Sequence, residues 1–220
     1  YLINVEYEPL PIVKSPSAAM EKDASLIHEN LGDYKKQIDD VYPVPNTNII
    51  DYTKIRKGDM ARGWAESEVV EGQYFMPKSD HVAMETRNVR VKIDPSGKVF
   101  VSSSTQSPFA IKKQLSKYYG IEESDVLVTA PLVGGAFGGK APVQLEYIAY
   151  LASKSVGGRP VKMANTRSED IATSPSKIGV EAKVKLGATR DGMLKAVELT
   201  YMVDAGAYAD TSPRMAKTMA

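Results

Sequence analysis

The sequence predicts an α+β fold in which a mixed sheet is combined with antiparallel hairpins. Two hairpins carry this prediction. Residues 89–101 hold two alternating strands around Asp-Pro-Ser-Gly, and residues 178–203 hold two longer strands joined by Thr-Arg-Asp-Gly. Helical segments are interleaved with these strands, which favours α+β over a doubly wound parallel sheet.

The elements before the first hairpin are predicted from alternating apolar residues, helix-capping residues and prolines that end a strand. Residues 2–7 alternate as a strand does and stop at two prolines. Ser15 precedes a proline and predicts a short capped helix. Residues 32–57 have no clear period and predict a long connection. A helix over 60–68 and a strand over 69–75 follow.

Between the two hairpins the pattern predicts two helices and two short strands. A cap at Ser107 and a first-turn proline precede a helix over 109–119, and a glycine ends it. The strand 125–129 leads into a glycine-rich loop. A largely apolar helix over 142–156 and a strand over 160–163 complete the series.

Composition excludes several classes of function. The 220 residues include 43% hydrophobic and 25% charged residues, the balance of a globular protein, and the net charge of +1 supplies no field that would attract nucleic acid or an acidic membrane. No apolar run approaches the roughly 18 residues of a membrane span. No signal-peptide pattern stands near the first residue, and we expect a cytoplasmic protein.

The absence of cysteine limits the metal chemistry of this chain. With 0 cysteines it can hold no disulfide, no thiolate zinc site and no iron–sulfur cluster. Its two histidines, His28 and His81, lie far apart in the sequence. Any transition metal would therefore have to arrive inside an organic cofactor.

The glycine-rich loop at residues 133–140 is the strongest single feature. It contains Gly-Gly-Ala-Phe-Gly-Gly-Lys between a predicted strand and a predicted helix. Such a density of glycine indicates close approach of the backbone to another group. Successive N–H groups there can bind an anion, helped by the positive end of a helix that begins near Pro142. Ala141 caps that helix poorly and leaves its first N–H groups available.

Two alternatives compete for this loop. Gly134, Gly139 and Lys140 fit the spacing of a nucleotide-binding P-loop, but Ala141 stands where a hydroxyl must hold magnesium, and Phe137 is bulky for a phosphate cradle. The other alternative is a tight turn from strand to helix with no ligand.

The loop resembles the molybdopterin-contacting loop of the xanthine dehydrogenase, aldehyde oxidoreductase and carbon monoxide dehydrogenase large subunits. Further segments match the same family in its own order along nearly the whole chain. They include Val-Glu-Tyr-Glu-Pro-Leu-Pro at 5–11, His-Val-Ala-Met-Glu at 81–85, Ser-Thr-Gln-Ser-Pro at 104–108, Gly-Arg-Pro-Val-Lys at 158–162 and Asp-Ala-Gly-Ala-Tyr at 204–208.

This resemblance implies a domain organisation and an internal fragment of a larger subunit. Residues 1–31 would be the C-terminal part of an α/β-hammerhead domain, and residues 32–57 a connecting segment. Residues 58–220 would be the truncated first molybdenum-cofactor-binding domain, with a mixed sheet and antiparallel hairpins.

The resemblance also implies which residues contact the cofactor. In this family the pterin dithiolene holds the molybdenum. Gln106 would lie beside the metal and hydrogen-bond one of its oxygen ligands, and Phe137 would lie near the metal without ligating it. Gly135, Ala136 and Gly138 would offer backbone groups to the cofactor. From the residues alone, Gln106 could instead cap the helix after it. The spacing of His81 and Glu85 suggests an acid–base pair, with a structural polar pair as the alternative.

The implied function is that of a molybdenum hydroxylase oxidising an aldehyde or an N-heterocycle with water-derived oxygen, with this chain supplying one side of the site. Ala141 stands where the resemblance implies a substrate-binding glutamate in xanthine-oxidising members. A purine is therefore a less suitable substrate, and an aldehyde, a different heterocycle or carbon monoxide stays open. The resemblance implies that the general-base glutamate lies downstream of these residues, so the fragment alone would be inactive.

The resemblance further implies a cytosine dinucleotide form of the molybdopterin, partner subunits or domains carrying iron–sulfur clusters and FAD, and an oligomeric complete enzyme. Two other functions remain as alternatives. One is a P-loop-like nucleotide-binding domain, and the other is a non-catalytic domain of the same fold.

Overall fold

The computed structural model describes residues 3–34 and 40–219. The helices of these residues are α1 (Pro16–Ala19), α2 (Met60–Ala65), α3 (Pro108–Tyr119), α4 (Leu145–Ser155), α5 (Arg167–Thr173) and α6 (Ser212–Thr218). The strands are β1 (Glu68–Met76), β2 (Asn88–Ile93), β3 (Val99–Ser103), β4 (Val126–Thr129), β5 (Val161–Ala164), β6 (Gly179–Ala188) and β7 (Leu194–Asp204). Single 3-10 turns occur at Leu31–Asp33 and Glu123–Asp125.

The chain divides into two compact units. The described residues of Tyr1–Lys78 and Ile178–Ala220 form one, called here the hairpin unit. Ser79–Lys177 form the other, called here the loop unit because it contains the glycine-rich loop.

The hairpin unit is built on the antiparallel sheet β1-β6-β7. Because side chains alternate along each strand, the register sorts them onto two unlike faces. One face is apolar and carries Val70, Tyr74, Met76, Val180, Ala182, Val184, Leu186, Val197, Leu199, Tyr201 and Val203. The other face carries polar side chains, among them Glu71, Gln73, Lys183, Lys185, Glu198 and Thr200. Helix α2 packs on this second face, where a Cβ added at Gly63 would lie 2.7 Å from the Lys195 carbonyl oxygen.

The loop unit contains the mixed sheet β4-β3-β2-β5. β2 and β3 form the predicted antiparallel hairpin, whereas β3 and β4 are parallel and are connected through α3. Branched residues on alternate positions of these strands pack against α3 and α4 in one core. Its buried members are Val89, Val91, Val99, Val101, Ile111, Leu115, Val126, Ala149 and Tyr150. The predicted α+β class, with a mixed sheet and antiparallel hairpins, is confirmed.

Several individual elements differ from the sequence prediction. Residues 3–7 form no strand and are exposed, since the alternating pattern finds no partner strand among the described residues; Leu2 lies outside them. Ser15 caps α1 as predicted, accepting a hydrogen bond from the Ala18 N–H. Ser107 precedes α3 but makes no side-chain cap. Part of the predicted connection, residues 35–39, lies outside the described residues.

The largest correction concerns α4, which begins at Leu145 rather than near Pro142. The two carboxylate oxygens of Glu146 explain where it starts. One accepts a hydrogen bond from the Gln144 N–H at 2.9 Å and the other from the Ser103 hydroxyl at 2.6 Å. Glu146 thus satisfies the N–H of Gln144, the residue before α4, while no side chain caps the first N–H groups of the helix itself.

Candidate functional site

The glycine-rich loop leaves β4 and turns sharply before α4. Gly135, Phe137 and Gly138 have positive φ angles of 90°, 55° and 96°. This conformation costs a non-glycine residue roughly 1–2 kcal/mol, so the surroundings must hold Phe137 in it. Two further glycines are required by close packing. A Cβ at Gly134 would lie 2.6 Å from the Glu85 Cβ, and one at Gly139 would lie 2.8 Å from the His81 Cγ.

Most N–H groups of the loop have acceptors inside the chain. Those of Gly135 and Gly139 bond to nearby loop carbonyls, each at 2.9 Å. The N–H groups of Ala136 and Phe137 have no acceptor among the described residues. They lie at the apex, where Phe137 is 67% exposed. The loop therefore offers two free backbone donors at its tip.

Gln106 lies against this loop and is oriented by it. Its side-chain Oε1 accepts hydrogen bonds from the Gly138 N–H at 3.0 Å and the Lys140 N–H at 3.2 Å. The backbone N–H of Gln106 donates to the Lys140 carbonyl at 3.0 Å. Because a backbone N–H can only donate, the amide oxygen must face the loop and the NH₂ group must face away. That NH₂ has no acceptor within the described part of the chain, and the side chain is exposed. Gln106 does not cap α3.

The side chain of Lys140 is buried beneath the loop. Its Nζ donates to Glu85 Oε2 at 2.9 Å and to Ser104 Oγ at 2.8 Å, and only 2% of the side chain is exposed. Lys140 is thus neutralised inside the unit and does not point at a bound phosphate. Together with the missing hydroxyl at Ala141, this argues against the P-loop alternative.

Glu85 is the acceptor at the centre of these contacts. Burial by itself would raise the pKa of this carboxyl. Hydrogen bonds donated by Lys140, Ser104, Gly134 and Asn88 outweigh burial and lower the pKa from 4.5 to about 2. Glu85 is therefore ionised at neutral pH.

A second buried ion pair supports the far end of the loop. Arg87 Nη1 lies 3.4 Å from Asp170 Oδ1, and the guanidinium also donates to the Ser174 hydroxyl and the Gly139 carbonyl. Burial opposes ionisation of Asp170, but hydrogen bonds led by the Arg87 N–H lower its pKa. His81 packs against Gly139, and burial lowers the pKa of its imidazole, which favours the neutral form.

The structure brings some of the predicted site residues together. Gln106 and Gly138 are directly hydrogen-bonded, and Gly135, Ala136 and Phe137 form the tip of the same loop. His81 and Glu85 lie in an irregular segment, and no hydrogen bond or ion pair joins them. Glu85 pairs with Lys140 instead.

The roles of Lys140, Arg87 and Asp170 as supports of the loop were not predicted from the sequence. One signal was available for Asp170. Thr166 and Glu169 have the spacing of a capping box, which places the helix α5 on which Asp170 lies. No comparable local signal indicates the pairing of Glu85 with Lys140.

Two absences among the described residues bear on the class of site. Histidines, aspartates and glutamates nowhere gather in groups of three or more that could hold a metal ion, within residues 3–34 and 40–219. In the same residues no helix combines the length and the apolar character needed to cross a membrane.

A family model and several known proteins are similar to this chain. The family model described as "Molybdopterin cofactor-binding domain" matches residues 41–220. One subunit of a "probable xanthine dehydrogenase" from Bacillus subtilis is 30% identical over 214 residues, covering 96% of this chain and 26% of that protein.

Solved structures agree with this similarity. Carbon monoxide dehydrogenase from Oligotropha carboxidovorans matches with a TM-score of 0.78 and 26% identity over 91% of this chain and 25% of its own. Quinoline 2-oxidoreductase from Pseudomonas putida 86 matches with a TM-score of 0.73 and 26% identity, covering 90% of this chain and 24% of its own. The chain spans about a quarter of the length of these relatives.

Proposed function

Because the chain belongs to the molybdopterin cofactor-binding domain family, we propose that its glycine-rich loop and Gln106 form one side of the cofactor site of a molybdenum hydroxylase. The observation that carries this proposal is the set of hydrogen-bond donors without acceptors at the loop. Three of them lie together at the tip of the loop and beside it: the N–H groups of Ala136 and Phe137 and the carboxamide NH₂ of Gln106.

The donor set fits a molybdenum–pterin group. Such a group is rich in hydrogen-bond acceptors and brings its own sulfur ligands, so the protein needs donors rather than thiolates or imidazoles. The loop backbone is accessible because Gly135 and Gly138 carry no side chains. We propose that Gln106 and Phe137 lie near the metal without ligating it, and that Gly135, Ala136 and Gly138 contact the cofactor through their backbone.

When bound, the cofactor supplies the two-electron oxidation of a substrate carbon with oxygen that comes from water. The residues of this chain would orient it and stabilise negative charge. Fixed dipoles in a site from which water is excluded are effective at this, because they need no reorganisation during the reaction. Gln106 cannot accept or release a proton at neutral pH. We propose that the general base is a glutamate beyond residue 220.

The proposed substrate is an aldehyde or an N-heterocycle. The relatives are described as a xanthine dehydrogenase, a carbon monoxide dehydrogenase and a quinoline oxidoreductase, so their substrates differ widely. We favour a substrate other than xanthine for this chain because Ala141 offers no carboxylate directly after Lys140.

The electrons must leave the site through other proteins or domains, because the chain has 0 cysteines to ligate an iron–sulfur cluster. We propose partners carrying iron–sulfur clusters and FAD, a cytosine dinucleotide form of the cofactor, and an oligomeric cytoplasmic enzyme. In that enzyme, residues 1–31 would be the C-terminal part of an α/β-hammerhead domain, and residues 58–220 would be the first part of the cofactor-binding domain. Residues 32–57 would be the segment that connects them.

Metal and pterin analysis of the complete protein tests this proposal. The protein is purified from a host that makes the molybdenum cofactor, and molybdenum and pterin are quantified per chain. We expect both in stoichiometric amounts. A folded protein with neither would favour a non-catalytic domain of the same fold, and tight magnesium-dependent binding of ATP in its place would revive the P-loop alternative.

A further inference from the structure

One carboxylate oxygen ties together both ends of the glycine-rich loop. Glu85 Oε2 accepts hydrogen bonds from the Gly134 N–H at 2.8 Å and from Lys140 Nζ at 2.9 Å. The Ser104 hydroxyl donates to the same oxygen at 2.6 Å. The Glu85 N–H in turn donates to the Gly134 carbonyl at 3.0 Å, so Gly134 is held on both sides of its peptide.

Lys140 connects this cluster to Gln106. Its side chain bonds to Glu85, while its backbone N–H and carbonyl bond to the side chain and the backbone of Gln106. A displacement of the Lys140 side chain would therefore move the carboxamide that carries one of the three free donors. The buried ammonium has its charge balanced by Glu85.

We propose that Glu85 and Lys140 are positioning residues, whose ion pair fixes the two ends of residues 134–140 and so aims the free donors of Ala136, Phe137 and Gln106 at the bound cofactor. This inference rests on the function proposed above. Neither side chain would touch the reacting atoms. The pair keeps the strained loop in one conformation before the cofactor binds, and binding then requires little ordering of the chain.

Glu146 provides a matched comparison for a purely structural role. Glu146 is a buried carboxylate of the loop unit, whereas the Glu85 side chain is 31% exposed. Glu146 accepts from Ser103, the neighbour of the serine that bonds to Glu85. Its second partner is the Gln144 N–H rather than the loop. Loss of Glu146 should therefore destabilise the fold without changing the aim of the loop donors.

The test compares Glu85→Gln with Glu146→Gln in the complete protein, loaded with cofactor. After transfer to cofactor-free buffer, the release of pterin and molybdenum is followed together with the thermal midpoint. Residues that orient the ligands of a metal typically change its affinity by about 10- to 100-fold. We expect cofactor release to accelerate by a factor of that size in Glu85→Gln and to stay near the wild-type rate in Glu146→Gln.

A second variant and a second measurement guard against a folding defect. Glu85→Gln leaves the Lys140 ammonium buried without a counter-ion, which is costly. The double variant Glu85→Gln/Lys140→Met removes both charges, and we expect it to fold and still release cofactor quickly. In cofactor-free protein, amide exchange at Gly138 and Lys140 should speed up in both Glu85 variants and not in Glu146→Gln.

Equal release rates and equal amide exchange in the Glu85 and Glu146 variants would overturn the inference while leaving the proposed function intact. If the wild-type protein held no cofactor at all, the proposed function would fail first. The exchange measurement would then show whether the ion pair orders the loop.

Discussion

At the scale of single residues, the direction of one amide group carries the proposed function. The oxygen of Gln106 is fixed by two backbone N–H groups, which leaves its nitrogen as a donor to an outside acceptor. The backbone of the loop thus determines which end of the Gln106 carboxamide faces the loop and which end faces away, although Gln106 belongs to another segment of the chain. This is the feature that a substitution should test first.

We predict that Gln106→Glu lowers turnover of the complete enzyme more than its small change in shape suggests. A carboxylate still accepts from the Gly138 and Lys140 N–H groups, but its second oxygen replaces a donor with a negatively charged acceptor. Removing one donor that stabilises developing charge costs about 100-fold or more in turnover. The measurement is turnover per bound molybdenum. Turnover equal to wild type in both Gln106→Glu and Gln106→Ala would remove Gln106 from the site.

Glu85 predicts a specific dependence of stability on pH. Its pKa is lowered in the folded chain from 4.5 to about 2, so the stabilisation is complete above about pH 4.5 and is lost as the pH falls towards 2. We expect the free energy of unfolding to fall more steeply over this window in wild type than in Glu85→Gln. Urea unfolding at a series of pH values measures it. Parallel curves would contradict the assigned pKa.

A side chain at position 139 should clash with its neighbours rather than strain the backbone. A Cβ there would lie 2.8–3.0 Å from three atoms of His81, while the φ angle of Gly139 is not positive. We expect Gly139→Ala to lower the free energy of unfolding by about 1–3 kcal/mol, the usual cost of overpacking. In the background of His81→Ala the same change should cost less, because only the contact with the Cβ of residue 81, at 3.0 Å, remains. A double-mutant cycle from urea unfolding gives the coupling, and additive effects would refute the contact.

At the scale of elements, the short helix α5 supports the loop from a distance. The hydroxyl of Thr166 accepts from the Glu169 N–H, and the Glu169 carboxylate accepts from the Thr166 N–H, which together form a capping box. The helix places Asp170 beside Arg87, and Arg87 donates to the Gly139 carbonyl. A capping motif is thereby linked to the last glycine of the loop through two buried side chains.

We predict that Thr166→Ala lowers the free energy of unfolding by about 1 kcal/mol, the usual cost of losing a side-chain cap. Thr173→Ala is the control, because its hydroxyl only donates back to the Glu169 carbonyl within the same helix. Such a bond contributes little to a helix, and we expect almost no change. Urea unfolding compares the two variants. Equal effects would mean that the cap does not hold α5.

Elements with strong local signals were predictable from the sequence. Both hairpins follow from alternation around a turn whose residues suit it, and the bounds of α3 follow from Pro108 and the left-handed Gly120. Residues 3–7 show the limit of this approach, because alternation cannot reveal whether a partner strand exists. The start of α4 was misplaced because the Glu146 side chain satisfies the backbone ahead of the helix.

The candidate site was predictable only in part, for a related reason. Gln106 and the loop were found through resemblance to known segments. The pairing of Glu85 with Lys140 joins residues 55 positions apart, and no local pattern encodes it. A buried lysine looks the same in the sequence as a phosphate-binding one, and the fold alone decides which partner it meets.

At the scale of the whole molecule, much of the apolar face of the β1-β6-β7 sheet is exposed. Val70 is 70% exposed, Tyr74 is 64% and Leu199 is 45%. A continuous apolar surface of this kind promotes association in water. We therefore predict that the 220-residue chain self-associates as its concentration rises.

Neighbouring residues on β7 provide matched variants for this prediction. Leu199 lies on the apolar face and Thr200 on the polar face, where it is paired with Lys183. We expect Leu199→Glu to reduce self-association and Thr200→Glu to leave it unchanged. Sedimentation velocity over a range of concentrations measures this, and a monomeric wild-type chain would contradict the prediction.

The two-ended attachment of the glycine-rich loop also determines when the loop can form during folding. Its contacts reach back 49 residues to Glu85 from Gly134 and 36 residues to Ser104 from Lys140. Such distant contacts are late to form, since the intervening chain must first be ordered. The loop is thus not a portable motif. Grafted onto another protein or made as a synthetic peptide, the seven residues 134–140 would keep their sequence and lose their shape.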